Sequence, residues 1–537
     1  MSLRSSSFSI LFTTTLLLAA PLAAQAPGIY ALTGGTVHPV GSAVIEGGTV
    51  VIRGGLIEAV GRNIAVPADA VEVDVRGMHV YPGLFDAQTA MGLPEPAPRV
   101  SSFGSDPPAA RSPASPEPTA SFRAADAFKL ATEALETRRA TGVTTILVAS
   151  NAGIFNGQSA ILNLYGDDVP SMILKSPVTH QISFNPRSSW TYPDSLMGVN
   201  SYIRQTLLDA AQYEAATRIY SRDPSGRRRP SPDTNLEALA PVLRRELPVV
   251  FVADTETMIR RAHAIASESQ LRWILSGGRQ TYRMADEIRN WNVPVLVSVN
   301  FPQPPSSADQ RNEEPLRVIR DRVLSVTAPA ELARRNVPFA LVSGKGKPAD
   351  FIKGIRRAID GGLSETAALR AVTLSPAEIL GADRQIGSID RGKIANLVVT
   401  DGPIFNRNSK VRHVYVDGRE IRLPAEDKPA PSTAATTASP VDGGWNLTVR
   451  APEGDVAIQV TFKLQGTELS GTYSGGAGSG DIRNGTVSDN RIQFDITTQT
   501  QAETFDWSFN GTISDNRIEG TVTTNLGQFQ FTGSKTP

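Results

Sequence analysis

Two carboxylates stand where an α/β core would place chemistry. Asp86 follows the apolar run 81–85, and Asp254 follows 249–253, so both fall near strand ends. A carboxylate pair whose environments split its pKa values can do acid–base work. Each also has a plainer use, Asp86 as a structural group at the strand end and Asp254 as a helix cap before Thr255-Glu256. The 5 histidines are dispersed. His38, His79 and His413 lie in or beside glycine-punctuated β stretches, and His263 sits in a helical pattern four residues after Ile259. Only His180 follows a strand-like run of the core, 171–175; a loop histidine without a chemical role is the alternative. The loop after 143–148 carries Asn151, Asn156 and Gln158, with Gly153 and Gly157 allowing close backbone approach, as a binding site would need. Lys345-Gly346-Lys347 follows the strand-like run 338–342 and could hold an anion; a solvated loop is the alternative for both segments. The chain has no Cys, which excludes thiolate nucleophiles, disulfides, iron–sulfur clusters and Cys-ligated zinc. No G-x-S-x-G elbow is present.

The elements that must position these groups read as follows. The 537 residues carry 53 Lys+Arg and 53 Asp+Glu, so no basic field exists to hold nucleic acid. Residues 1–26 have a basic start at Arg4, an apolar run over 8–18 and the small residues Ala23-Ala24-Gln25-Ala26, the pattern of a secretory signal. The run is too short for a membrane anchor, the alternative reading. No later stretch is apolar enough to span a membrane, and the expected location is periplasmic or secreted. Short strands and glycine turns fill 29–80, with a hairpin signature around Gly54-Gly55, and a similar pattern returns over 395–421. Between them, largely apolar runs at 143–148, 248–252, 271–275, 294–299 and 338–342 alternate with helical stretches, which predicts a parallel α/β sheet buried on both faces. The Pro/Ser/Ala-rich segment 94–120 reads as a loop, and 425–440 as a linker. From 444 to 537 the chain is almost purely β and contains an internal repeat, GTVSDNRI at 485–492 and GTISDNRI at 511–518, which predicts antiparallel hairpins in a small barrel or sandwich.

The segment Tyr81-Pro82-Gly83-Leu84-Phe85-Asp86-Ala87-Gln88-Thr89-Ala90 resembles the first-strand motif of the amidohydrolase superfamily, nearest to its imidazolonepropionase-like branch. Thr141 to Thr145, Ala371 to Ala377 with Ile379-Leu380-Gly381, and Gly387 to Val399 resemble later motifs of that family in the same order. In the last of these the family usually has Ala-Asp where this chain has Ala395-Asn396. The resemblance spans about 29–423 and implies a (β/α)8 TIM barrel over 83–385. It also implies a small composite β-sandwich from the flanks 27–82 and 386–424; the linker 425–443 and the C-terminal all-β domain at 444–537 lie outside the resemblance. It further implies hydrolysis of carbon–nitrogen bonds other than peptide bonds, by water activated on zinc or another divalent ion.

The ligand set does not follow the fold. Where the resemblance implies two first-strand histidines stand Gln88 and Ala90. Val252 takes the fifth-strand position, Gly277 the sixth and Gly344 the eighth. Lys175 lies near the place where some family members carry a carboxylated lysine. The expectation is therefore a metal-free, catalytically impaired protein that binds a small molecule or a partner, with no cofactor. Two alternatives stay open: a C–N hydrolase using carboxylates or an unrecognised metal, and a surface-interaction protein acting through the C-terminal β domain.

Overall fold

The computed structural model describes residues 28–94, 119–130, 132–166, 168–187, 192–305, 314–344, 346, 350–423 and 441–536, the last apart from 452–453, 467, 476–477, 489–490, 500–503, 515 and 525–526. The export signal read at 1–26, most of the loop at 94–120, the linker 425–440 and the anion candidate Lys345 lie outside these residues. The chain divides into two compact units, 1–425 and 426–537.

In the first unit, both flanks build one eight-stranded sheet. Ile45–Arg53 and Leu56–Gly61 form the expected hairpin, and Gly54 and Gly55 turn it at φ 59 and 84, the left-handed pair that a tight hairpin requires. The halves join where Leu397–Thr400 runs antiparallel to His79–Pro82, 315 residues apart at the Leu397–Pro82 pair. Between them lies a closed barrel of eight strands, two of them broken in the middle. Seven strands ascend: Leu84–Thr89, Val143–Val148, a broken one over 173–183, Val249–Ala253, Trp273–Gly277, Val295–Ser298 and Phe339–Val342.

The third strand, 155–163, corrects the expectation of a uniform (β/α)8 barrel. It descends, antiparallel to both neighbours. Only residues 149–154 connect it to the second strand, and a parallel crossover needs about a dozen residues or more. The ring closes at two seams. Ser159 N donates to Thr179 O at 2.9 Å, and Gly344 N donates to Gln88 O at 3.2 Å. Phe85, Ala87, Leu147, Val250, Ile274 and Leu296 fill the inside, while Leu84, Ile146, Phe251 and Leu275 face the helices. That two-sided burial is why these strands read as largely apolar runs without alternation.

The second unit settles the choice between barrel and sandwich. Gly443–Ala451 pairs with Gly454–Gln465 and Gly527–Lys535, and Gly454–Gln465 pairs with Glu468–Gly475, so the antiparallel strands close on themselves. In both repeat copies the flanking strands pair antiparallel, bringing Val487 opposite Ile492 and Ile513 opposite Ile518. Trp445, Phe462, Phe494, Phe509 and Phe531 are buried and fill the interior with stacked and edge-to-face rings. Among the described residues no helix is long and apolar enough to cross a membrane.

Candidate functional site at the barrel mouth

The mouth lies at the C-terminal ends of the ascending strands, where barrels place their chemistry. Gln88 leaves the first strand there and is 3% exposed. Its Oε1 accepts a short hydrogen bond from the Ser276 hydroxyl of the sixth strand. Its Nε2 lies 3.5 Å from Gln181 Oε1 on the fourth strand, and Gln181 Nε2 donates to Thr179 Oγ1 at 2.8 Å. Neutral amides and hydroxyls thus tie three strands together where the resemblance implies metal ligands. The Gln88 oxygen, its one metal-competent atom, is already engaged by Ser276.

The other implied ligand positions are closed by backbone shape. Gly277 has φ 93, and a Cβ there would lie 2.7 Å from Asp254 Oδ1. Gly344 has φ 59, and its Cβ would lie 2.8 Å from Ser298 Oγ. L-residues rarely adopt such φ values, so a His or Asp at either place meets both strain and a filled space. Val252 and Ala90 are half-buried and carry no donor atom. Among the described residues no three His, Asp or Glu side chains gather as a metal site would need. A catalytic divalent ion needs about three fixed nitrogen or oxygen ligands. The residues at this mouth do not fit one.

The two candidate carboxylates are not brought together. Asp86 is fully buried and faces the helical layer, where Arg138 Nη1 lies 2.8 Å from its Oδ2. Ser343 completes its shell, with N donating at 2.9 Å and Oγ at 2.5 Å. Arg138 Nη2 also reaches Ser343 Oγ at 3.1 Å and Thr89 Oγ1 at 3.3 Å. This is a lock across the seam of strands one and eight. Asp254 lies against Gly277 and does not cap the following helix. Thr255 does, accepting from Met258 N at 3.4 Å. The Asp254 carboxylate has no hydrogen-bond or ion-pair partner among the described residues.

His180 points away from the mouth. It is buried beside Phe155, with its Nε2 3.2 Å from the Ala120 carbonyl and its Nδ1 without a partner among the described residues. Burial pulls its pKa down to about 4, which keeps the ring neutral. Asn156 is fully buried, lies on the descending strand rather than in a loop, and braces the 149–154 link by donating to Ala152 O. Asn151 is half-buried at the mouth, and its carbonyl accepts from Asn185 Nδ2 at 3.5 Å. Gln158 lies down the descending strand, opposite His180. Lys175 lies at the opposite end of the barrel from the mouth and caps a helix end, donating to Leu380 O and Gly381 O at 3.0 and 3.1 Å. His263 is stacked on Trp291 at 3.9 Å.

Sequence reading missed Arg138, which stands beside Arg139 and reads as helix-surface charge. A buried aspartate in an apolar strand was the available signal, because it demands a cation or donors. It also missed a cavity of about 270 Å³ between the ends of strands seven and eight and the helix Asp350–Asp360. Phe301 and Phe351 give it apolar walls, and Asn300, Asp350, Lys353 and Arg357 give it polar ones. The Arg357 guanidinium lies 5.3 Å from the Phe301 ring centroid, and burial lowers its pKa.

Residues 320–421 match the family model described as the amidohydrolase family. An amidohydrolase from Thermotoga maritima superposes with a TM-score of 0.62 at 25% identity, covering 74% of this chain and 100% of that one. An adenine deaminase from Methanothermobacter thermautotrophicus is 32% identical over 149 residues, 25% of this chain. The chain spans about a quarter of that enzyme's length, 26%.

Proposed function

Because this chain belongs to the amidohydrolase superfamily while its barrel mouth holds neutral amides, hydroxyls and glycines, we propose a scaffold-retaining member that binds a small molecule without metal-activated hydrolysis. On its sequence motifs we place it in the imidazolonepropionase-like branch, and on its first 26 residues we read it as exported. Family membership supports a hydrolase-like ancestry of the site. The observation that carries the metal-free reading is the Gln88–Ser276 hydrogen bond combined with left-handed backbone at Gly277 and Gly344. Activated water at neutral pH needs a held divalent ion or a strong base near the attacking oxygen, and the mouth supplies no ligand set for the former. The test is a turnover screen of amides, amidines, cyclic imides and aminopurines, each with and without a chelator and with added zinc or manganese. No turnover that responds to metal or chelator is expected; chelator-sensitive release of ammonia or amine overturns the reading.

One observation favours a second reading, hydrolysis driven by a carboxylate. Asp254 stands at a strand end with its carboxylate unengaged among the described residues. Under that reading the screen finds metal-independent turnover, and Asp254→Asn abolishes it.

A further inference from the structure

The cavity beside strands seven and eight holds an unusual balance of charge. Lys353 and Arg357 lie one helical turn apart on Asp350–Asp360, at the i, i+4 spacing that puts two side chains on one face. Both line the cavity, and neither has an acidic partner among the described residues. Elsewhere on this unit arginines are regularly paired: Arg204 with Glu268, Arg244 with Glu214 and Glu246, Arg260 with Glu256 and Glu287. Arg357 instead donates from Nη1 to the Phe301 carbonyl at 3.3 Å and lies over the Phe301 ring. A single carbonyl leaves most of its five N–H donors unspent. Phe301 and Phe351 supply apolar surface, and Asn300 adds an amide. Among the described residues the lone acid on the lining is Asp350, which against Lys353 and Arg357 leaves one net positive charge.

We propose that this cavity binds a small oxyanion carried on a compact apolar or aromatic body, with Arg357 and Lys353 holding the anionic oxygens. The class covers carboxylates and phosphate monoesters. A planar guanidinium forks onto either group, and a charge-assisted hydrogen bond in a partly dry pocket is worth more than a neutral one. At about 270 Å³ the space suits a ligand of one ring plus its anionic group rather than a peptide. Ser343 forms wall and not ligand, since its hydroxyl is held by Asp86 and Arg138. The inference deepens the small-molecule reading above and rests on it for its biological sense, but its geometry does not depend on the state of the barrel mouth.

The test is titration calorimetry on the full chain with benzoate, phenyl phosphate, inorganic phosphate and the neutral isostere benzamide, each at low and high salt. Benzoate or phenyl phosphate should bind and benzamide should not; whichever of the two binds tighter assigns carboxylate or phosphate. Lys353→Gln, on the exposed side of the helix, and Arg357→Gln should each weaken binding about tenfold or more, as loss of a charge-assisted hydrogen bond does. Arg228→Gln, on an exposed connection, should leave it unchanged. Because Arg357→Gln can loosen the Phe301 contact, Lys353→Gln and the benzamide comparison decide the matter if that variant fails to fold. Equal binding of benzamide, binding indifferent to Lys353→Gln, or no binding by any anion overturns the proposal. Metal content of the same preparation separates the two readings: a stoichiometric ion with intact benzoate binding sinks the metal-free mouth and leaves the cavity standing.

Discussion

At the scale of single residues, the buried charge is the most exposed to test. Asp86 and Arg138 are 0% and 1% exposed, so removing one partner strands the other in a dry interior. Asp86→Asn should cost about 3–5 kcal/mol in urea unfolding, and a paired Asp86→Leu/Arg138→Met change should recover a large part of it. A loss below about 1 kcal/mol for Asp86→Asn would show that the pair does not lock the seam. His180 gives the pH dependence. Its folded pKa of about 4 lies below the unfolded value of 6.5, so the unfolded chain binds the extra proton between those limits. The contribution is fully present above pH 6.5 and fades as pH falls toward 4, with a loss of about 2 kcal/mol by pH 5. His180→Phe should flatten the stability profile over that window; an unchanged slope would contradict the burial argument. Sequence reading set Gln88 by the first-strand motif Tyr81 to Ala90, and Val252, Gly277 and Gly344 by the apolar runs that contain or precede them. What occupies the mouth instead was illegible, since Ser276 and Gln181 are ordinary strand polar residues until the barrel closes and aims them at Gln88.

At the scale of elements, the joint between barrel and composite sheet depends on one amide. Asn396 Nδ2 donates to Thr145 Oγ1 at 3.1 Å and Asn163 Oδ1 at 3.0 Å, and its Oδ1 accepts from Asp417 N at 2.9 Å. Asp417 is itself half-buried, and desolvation raises its pKa. Asn396→Asp replaces a donor with an acceptor against Asn163 Oδ1 and should cost about 1–3 kcal/mol at neutral pH. The loss should shrink in acid as the new carboxyl protonates and can donate again. Equal stability of both proteins at pH 7 would refute this joint. The alternation of apolar runs and helices was legible because parallel strands buried on both faces leave a largely apolar trace. The descending third strand was not, because Asn156, Gly157, Gln158 and Ser159 interrupt its apolar residues and read as loop, and its direction shows only in the short 149–154 link.

At the scale of the whole molecule, each compact unit has its own core, the barrel layers in one and a ring of aromatics around Trp445 in the other. Residues 1–425 alone should therefore melt cooperatively at the temperature that unit shows in the full chain; a fall of about 10 °C or more would mean that the C-terminal unit stabilises it. The C-terminal barrel was legible down to its hairpins, since the repeated Asp-Asn turns punctuate alternating strands, while its closure depends on the long-range pairing of Gly454–Gln465 with Glu468–Gly475 and Gly443–Ala451. On the proposed reading, closure of the larger barrel around Gln88 leaves no ligand set for an ion at the mouth. The most direct measurement is elemental analysis of natively purified protein by plasma mass spectrometry, before and after incubation with zinc, manganese and nickel followed by desalting. Only trace, substoichiometric metal that does not rise on incubation is predicted. A stoichiometric ion retained through desalting and lost on Gln88→Ala would contradict the account.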